Sequence, residues 1–139
     1  MGFEGEWKNE LGSLMRLRDD GNGSLSGTYH TAVGNAADQY ALTGSYDPDA
    51  SEGSQSLAFS VSWHNETGNS HSATAWAGQL QRDELGDVIV TTWLLTRETQ
   101  SKDDWESTLV GQDVFRRADV EWAPAKRGPS HGAKQAIKG

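Results

Sequence analysis

Ser13-Leu14-Met15-Arg16-Leu17-Arg18-Asp19-Asp20-Gly21-Asn22-Gly23-Ser24-Leu25-Ser26-Gly27-Thr28-Tyr29-His30-Thr31 reads as strand, turn, strand. Side chains alternate in character on both sides of Asp19-Asp20-Gly21-Asn22-Gly23, whose carboxylates, amide and glycines favour a tight reversal. The same pattern continues outward in both directions. It predicts strands over 5–10, 13–18, 24–31, 39–46, 56–63, 72–80, 88–96 and 107–116, with turn-like separators at 47–53, 65–69 and 83–87. No long window carries a helical period, so the chain reads as all-β. Short loops between consecutive strands imply an antiparallel meander. Eight such strands remove their exposed edges by closing into an up-and-down β-barrel, whose interior at that strand number holds one small ligand.

Composition bounds the function. The 139 residues fit one domain, here 1–118, followed by a flexible basic tail over 119–139. Six tryptophans and 16 glycines suit short strands joined by tight turns around aromatic packing. With no cysteine there is no disulfide, thiolate chemistry or Cys-based zinc site. Residues 1–115 carry 6 Lys and Arg against 18 Asp and Glu, an acidic body that repels nucleic acid and anionic lipid. No apolar run approaches a membrane span, and no hydrophobic signal segment precedes the domain.

Polar residues gather at one end of the barrel. Alternation aims Asn9, Ser13, Tyr29 and Thr31 at a shared interior, and converging polar groups in a barrel mouth make a small-molecule site. Asp113 lies in the apolar run from Val110 to Phe115, where a buried carboxylate needs partners. His30, His64, His71 and His131 show no metal-ligand spacing, so no metal is expected. There is no Gly-x-Ser-x-Gly elbow and no His placed beside a Ser, so the chain reads as a binding protein and not an enzyme.

A series of motifs carries a resemblance. They are Trp7-Lys8-Asn9-Glu10-Leu11-Gly12-Ser13, Gly27-Thr28-Tyr29, Ala32-Val33-Gly34-Asn35-Ala36, Val61-Ser62-Trp63, His71-Ser72-Ala73-Thr74-Ala75-Trp76-Ala77-Gly78-Gln79, Thr92-Trp93-Leu94-Leu95-Thr96 and Trp105-Glu106-Ser107-Thr108-Leu109-Val110-Gly111-Gln112-Asp113-Val114-Phe115. In this order and spacing the chain resembles the avidin and streptavidin family of biotin-binding proteins, nearest its bacterial, streptavidin-like branch. The resemblance implies tight, non-covalent biotin binding with no cofactor. Asn9, Ser13 and Tyr29 would donate to the ureido oxygen, while Asp113 and Thr31 accept from the ureido N–H groups. Thr74 would reach the thioether sulfur, and Trp63, Trp76 and Trp93 would wall the rings with Leu11, Val33 and Leu95. Ser72 and the Asn35 backbone would meet the carboxylate, with 33–38 as a lid that bends at Gly34.

The resemblance also implies an assembly. Trp105 would cross to a neighbouring subunit's site, and Leu109, Val110 and Gln112 would sit at subunit contacts. That predicts a homotetramer, with a dimer as the alternative; Glu106 and Gln112 depart from the Lys and His of near relatives. Secretion is likewise implied. Two other readings compete with biotin binding: a lipocalin-like barrel for another small apolar ligand, and an interaction module with a degenerate pocket. The tail is long enough to cover a pocket as a plug that ligand displaces.

Overall fold

The computed structural model describes residues 2–32, 38–50, 53–102 and 107–125. β1 (Gly5–Lys8), β2 (Leu14–Asp19), β3 (Ser24–His30), β4 (Gln39–Tyr46), β5 (Gln55–Asn65), β6 (Gly68–Asp83), β7 (Gly86–Arg97) and β8 (Thr108–Arg117) pair antiparallel in chain order. β8 returns to β1, with Trp7 opposite Arg117 and Lys8 opposite Arg116, and closes the barrel. The predicted strands are all present. β5 and β6 run longer than expected because the 65–69 separator contracts to the two-residue turn Glu66-Thr67, with Asn65 opposite Gly68. Asn65 Oδ1 accepts the amides of Thr67 (2.9 Å) and Gly68 (3.1 Å), so the side chain builds the reversal locally. Asp20 does the same for Asn22 and Ser24, and Asp83 for Leu85.

Alternation then sorts the side chains. Met15, Leu17, Leu25, Leu42, Leu57, Phe59, Leu80, Ile89 and Phe115 fill the interior. Trp7 is buried at the barrel end opposite the polar residues. Its Nε1–H donates to the Phe3 carbonyl (2.9 Å), and the Arg117 guanidinium lies 4.0 Å above its ring. Arg117 also donates to the Gly2 and Glu4 carbonyls, tying the start of the chain to the last strand.

One segment departs from expectation. Residues 119–125, read from sequence as the start of the tail, lie against the barrel as a strap. Trp122 Nε1–H donates to the Val114 carbonyl (3.0 Å). Arg116, 1% exposed although it points outward, makes paired bonds to Asp83 (2.8 and 2.7 Å) and donates to the Ala123 and Pro124 carbonyls. A buried guanidinium needs this full set of acceptors, and the strap supplies half of them. The strap thus ends beside Asp83, at the end of the barrel opposite the polar cluster. The plug idea rests on the segment after Trp122, of which 126–139 lie outside the described residues.

Candidate functional site

The site begins with a turn. β1 stops at Lys8, and Asn9 and Ser13 face each other across the link to β2, with the Asn9 N–H donating to the Ser13 carbonyl (3.1 Å). Asn9 Oδ1 accepts the amides of Leu11 and Ser13, both at 3.0 Å. Its acceptor is therefore spent on the backbone, and the side-chain nitrogen is left as a donor aimed inward, 3.3 Å from the Tyr29 hydroxyl. Ser13 Oγ accepts the Ala32 amide (3.1 Å) and is hydrogen-bonded to Tyr29. Asn9, Ser13 and Tyr29 are all buried. Burial, and then the charge of Asp113, push the Tyr29 hydroxyl well above its ordinary pKa, so it stays a protonated donor.

Behind these donors stands an aromatic wall. Tyr29 stacks on Trp76 (centroids 5.1 Å) and meets Trp63 edge-on (5.6 Å). Trp76 stacks in turn on Phe59 at 4.8 Å. The indole nitrogens are used: Trp76 Nε1–H donates to Asp113 Oδ2 (2.8 Å), and Trp63 Nε1–H to Thr74 Oγ1 (2.7 Å). Thr74 thereby keeps its own hydroxyl proton for another acceptor. Trp93 lies over bare backbone, because a Cβ on Gly111 would come 2.2 Å from its ring. We expect Gly111→Ala to displace the Trp93 indole, move its NMR resonances and cost about 1–3 kcal/mol in denaturant unfolding. An unmoved indole would contradict that geometry.

The predicted residues do not all gather equally. Asn9, Ser13, Tyr29, Thr74, Trp76 and Asp113 are buried together at one end, with Thr31, Trp63, Ser72, Trp93 and Leu95 half-buried around them. Leu11 is 73% exposed on the β1–β2 turn and stands apart from the wall. Leu109 shares the inward parity of Gly111 and Asp113, sits opposite Leu95 and is 52% exposed, whereas Val110 and Gln112 have outward parity. Val33, Gly34, Asn35 and Trp105 lie outside the described residues, and with them the lid. Sequence reasoning missed Tyr40, whose ring meets Trp63 at 5.0 Å, and Thr91, which donates to the Asp113 carbonyl. It also missed Glu10, which accepts the Val114 amide at 2.8 Å. Tyr40 and Thr91 share the inward parity of their strands, a signal open to inspection. A surface groove of about 450 Å³ between Gly27, Gln39 and Thr67 is lined by no buried residue.

Among the described residues no cluster of three or more His, Asp or Glu side chains is placed to hold a metal ion. The model of the Avidin family matches residues 1–118. Avidin of Gallus gallus is 34% identical over 119 residues, covering 81% of this chain and 76% of that protein. Afifavidin of Afifella pfennigii is 30% identical over 109 residues, covering 78% and 65%. Fibropellin-1 of Strongylocentrotus purpuratus is 30% identical over 130 residues, which are 88% of this chain but only 11% of that protein. With similarity to Gallus gallus proteins at 34%, the narrower streptavidin-like branch expected from the motifs is not singled out.

Proposed function

The chain belongs to the avidin family, and on that premise we propose that it binds biotin non-covalently, without catalysis, in the mouth of its barrel. One observation carries the reading: the Asn9 amide nitrogen and the Ser13 and Tyr29 hydroxyls converge beside a buried aromatic wall. A ureido oxygen accepts from several donors at once, and in a site shielded from water each bond is strengthened. Asn9 suits the role because its own acceptor is already engaged. The Asp113 carboxylate, held by Trp76, takes one ureido N–H and Thr31 the other. Thr74 points its remaining proton at the thioether, and Trp63, Trp76, Trp93 and Leu95 cover the ring faces. Ser72, the Asn35 backbone and the 33–38 lid meet the carboxylate end, and no metal or cofactor takes part.

Adding biotin to the protein is expected to quench tryptophan emission and raise the melting temperature, since a ligand that binds only the folded state stabilises it. A long-chain fatty acid should leave both unchanged. The reverse pattern would favour the lipocalin-like reading, and no response to either would leave a barrel with a degenerate pocket.

The assembly proposed is a homotetramer. Support comes from the outer face of β7 and β8, where Leu94 and Val110 are register partners and are 51% and 54% exposed. Adjacent exposed apolar side chains on the outside of a barrel favour covering by another copy. Val110→Lys is expected to lower the native mass by at least half in light scattering; an unchanged mass would exclude this face from the contact.

A further inference from the structure

We propose that Glu10, which no motif assigns to the site, is a positioning residue for Asp113: the two carboxyl groups share one proton, and ligand binding takes that proton up from solvent. This rests on the biotin reading for its ligand, though not for the pair itself. The geometry comes from the way the barrel closes. The β1–β8 ladder ends at Lys8–Arg116, and β1 then turns away through Asn9. Glu10 bridges the gap left in the seam: its Oε1 accepts the Val114 amide at 2.8 Å, across 104 residues of sequence. That places its carboxyl group within hydrogen-bonding range of the Asp113 side chain, which on its other side accepts Trp76 Nε1–H.

Two carboxyl groups can hydrogen-bond to each other only if a proton lies between them, since two bare anions at that range repel. Among the described residues, neither Tyr29 nor Arg116 relieves this. Tyr29, from β3, stays neutral, and the Arg116 guanidinium is turned to Asp83. Partial burial, then the Asp113 hydrogen bond and charge, push the Glu10 carboxyl up to about 7. At neutral pH the empty site is therefore split between a protonated and a doubly ionised pair. The protonated pair leaves Asp113 as an anion steadied by two donors, Trp76 and Glu10, with capacity for a third. The doubly ionised pair pushes Asp113 away from Glu10.

A ligand filling the mouth removes water from the pair and makes the second negative charge costlier, raising the Glu10 pKa further. The sign follows. Affinity is highest below the midpoint of the empty site and falls as pH rises through it toward the midpoint of the filled one, by at most tenfold per pH unit for one proton. Glu10→Gln keeps an acceptor for Val114 and an N–H donor for Asp113 at every pH, so this dependence disappears. Stability behaves likewise. A folded-state pKa raised above the unfolded value leaves stability intact below the unfolded value of 4.5 and removes it as pH climbs from there through about 7, so Glu10→Gln gains on the wild type progressively over that range and by a constant amount above it.

The test is calorimetric titration with biotin at about pH 7.5 in two buffers of different ionisation enthalpy, which counts protons exchanged on binding. Wild type should take up a fraction of a proton per site and Glu10→Gln none, while both bind. Zero uptake by the wild type, or equal uptake by the variant, would overturn the linkage. If neither protein binds biotin, the functional reading fails and the pair is judged on the empty protein by carboxyl-carbon NMR. A Glu10 midpoint near 7 that falls in Asp113→Asn upholds the shared proton, and one that the substitution leaves unmoved dismisses it. A midpoint already in the ordinary carboxylate range dismisses it too.

Discussion

Asp113→Ala is expected to lower biotin affinity by about 10²–10³-fold, because truncating a buried, charge-assisted acceptor costs about 3–4 kcal/mol and each 1.4 kcal/mol is tenfold. The loss has two parts. One ureido N–H goes without its acceptor, and Trp76 Nε1–H, now bonded to Asp113 at 2.8 Å, is stranded in a buried site. Asp113→Asn separates them: its side-chain oxygen still receives Trp76 but carries no charge, so it loses less than the alanine variant. Equal losses would mean that the charge carries the whole effect and that a neutral acceptor in its place contributes nothing. Surface plasmon resonance on biotinylated surfaces, or competition with a labelled biotin, reads both.

The second large effect is on the fold. Trp76→Ala is expected to cost about 3–5 kcal/mol of unfolding free energy, the range for removing a buried large aromatic. Trp76 is 3% exposed, stacks on Tyr29 and Phe59, and bonds Asp113, so its loss opens a cavity and unpins the acceptor together. Denaturant midpoints measure the first consequence and biotin titration the second. Trp63→Ala provides the contrast: Trp63 is only half-buried at the mouth, so stability should fall less than for Trp76. A smaller destabilisation at Trp76 than at Trp63 would place the barrel's centre of packing elsewhere.

What the sequence discloses follows from how local each signal is. Strand alternation and turn residues act over a few positions, and they locate all eight strands and their order. Asn9, Ser13 and Tyr29 are legible for the same reason, each being polar at an inward position. Strand ends are less so: Asn65 and Asp83 form turns shorter than their polar surroundings suggest, because one side chain satisfies the reversal. Glu10 escaped notice because alternation points it outward, and only the early end of β1 lets its carboxyl group reach across the seam to β8. The strap is hidden for a related reason. Trp122 and Arg116 find partners on strands β8 and β6, and nothing in the neighbourhood of residues 119–125 announces them.

The central claim is a clamp of three donors on one carbonyl, and the vibrational frequency of that carbonyl reports it directly. Infrared difference spectra of biotin labelled with carbon-13 at the ureido carbonyl should show the stretch shifted to lower frequency on binding than in water. The shift should shrink in Asn9→Ala and in Tyr29→Phe, each of which removes one donor. A bound carbonyl at its aqueous frequency, or a shift that neither substitution alters, would contradict the clamp.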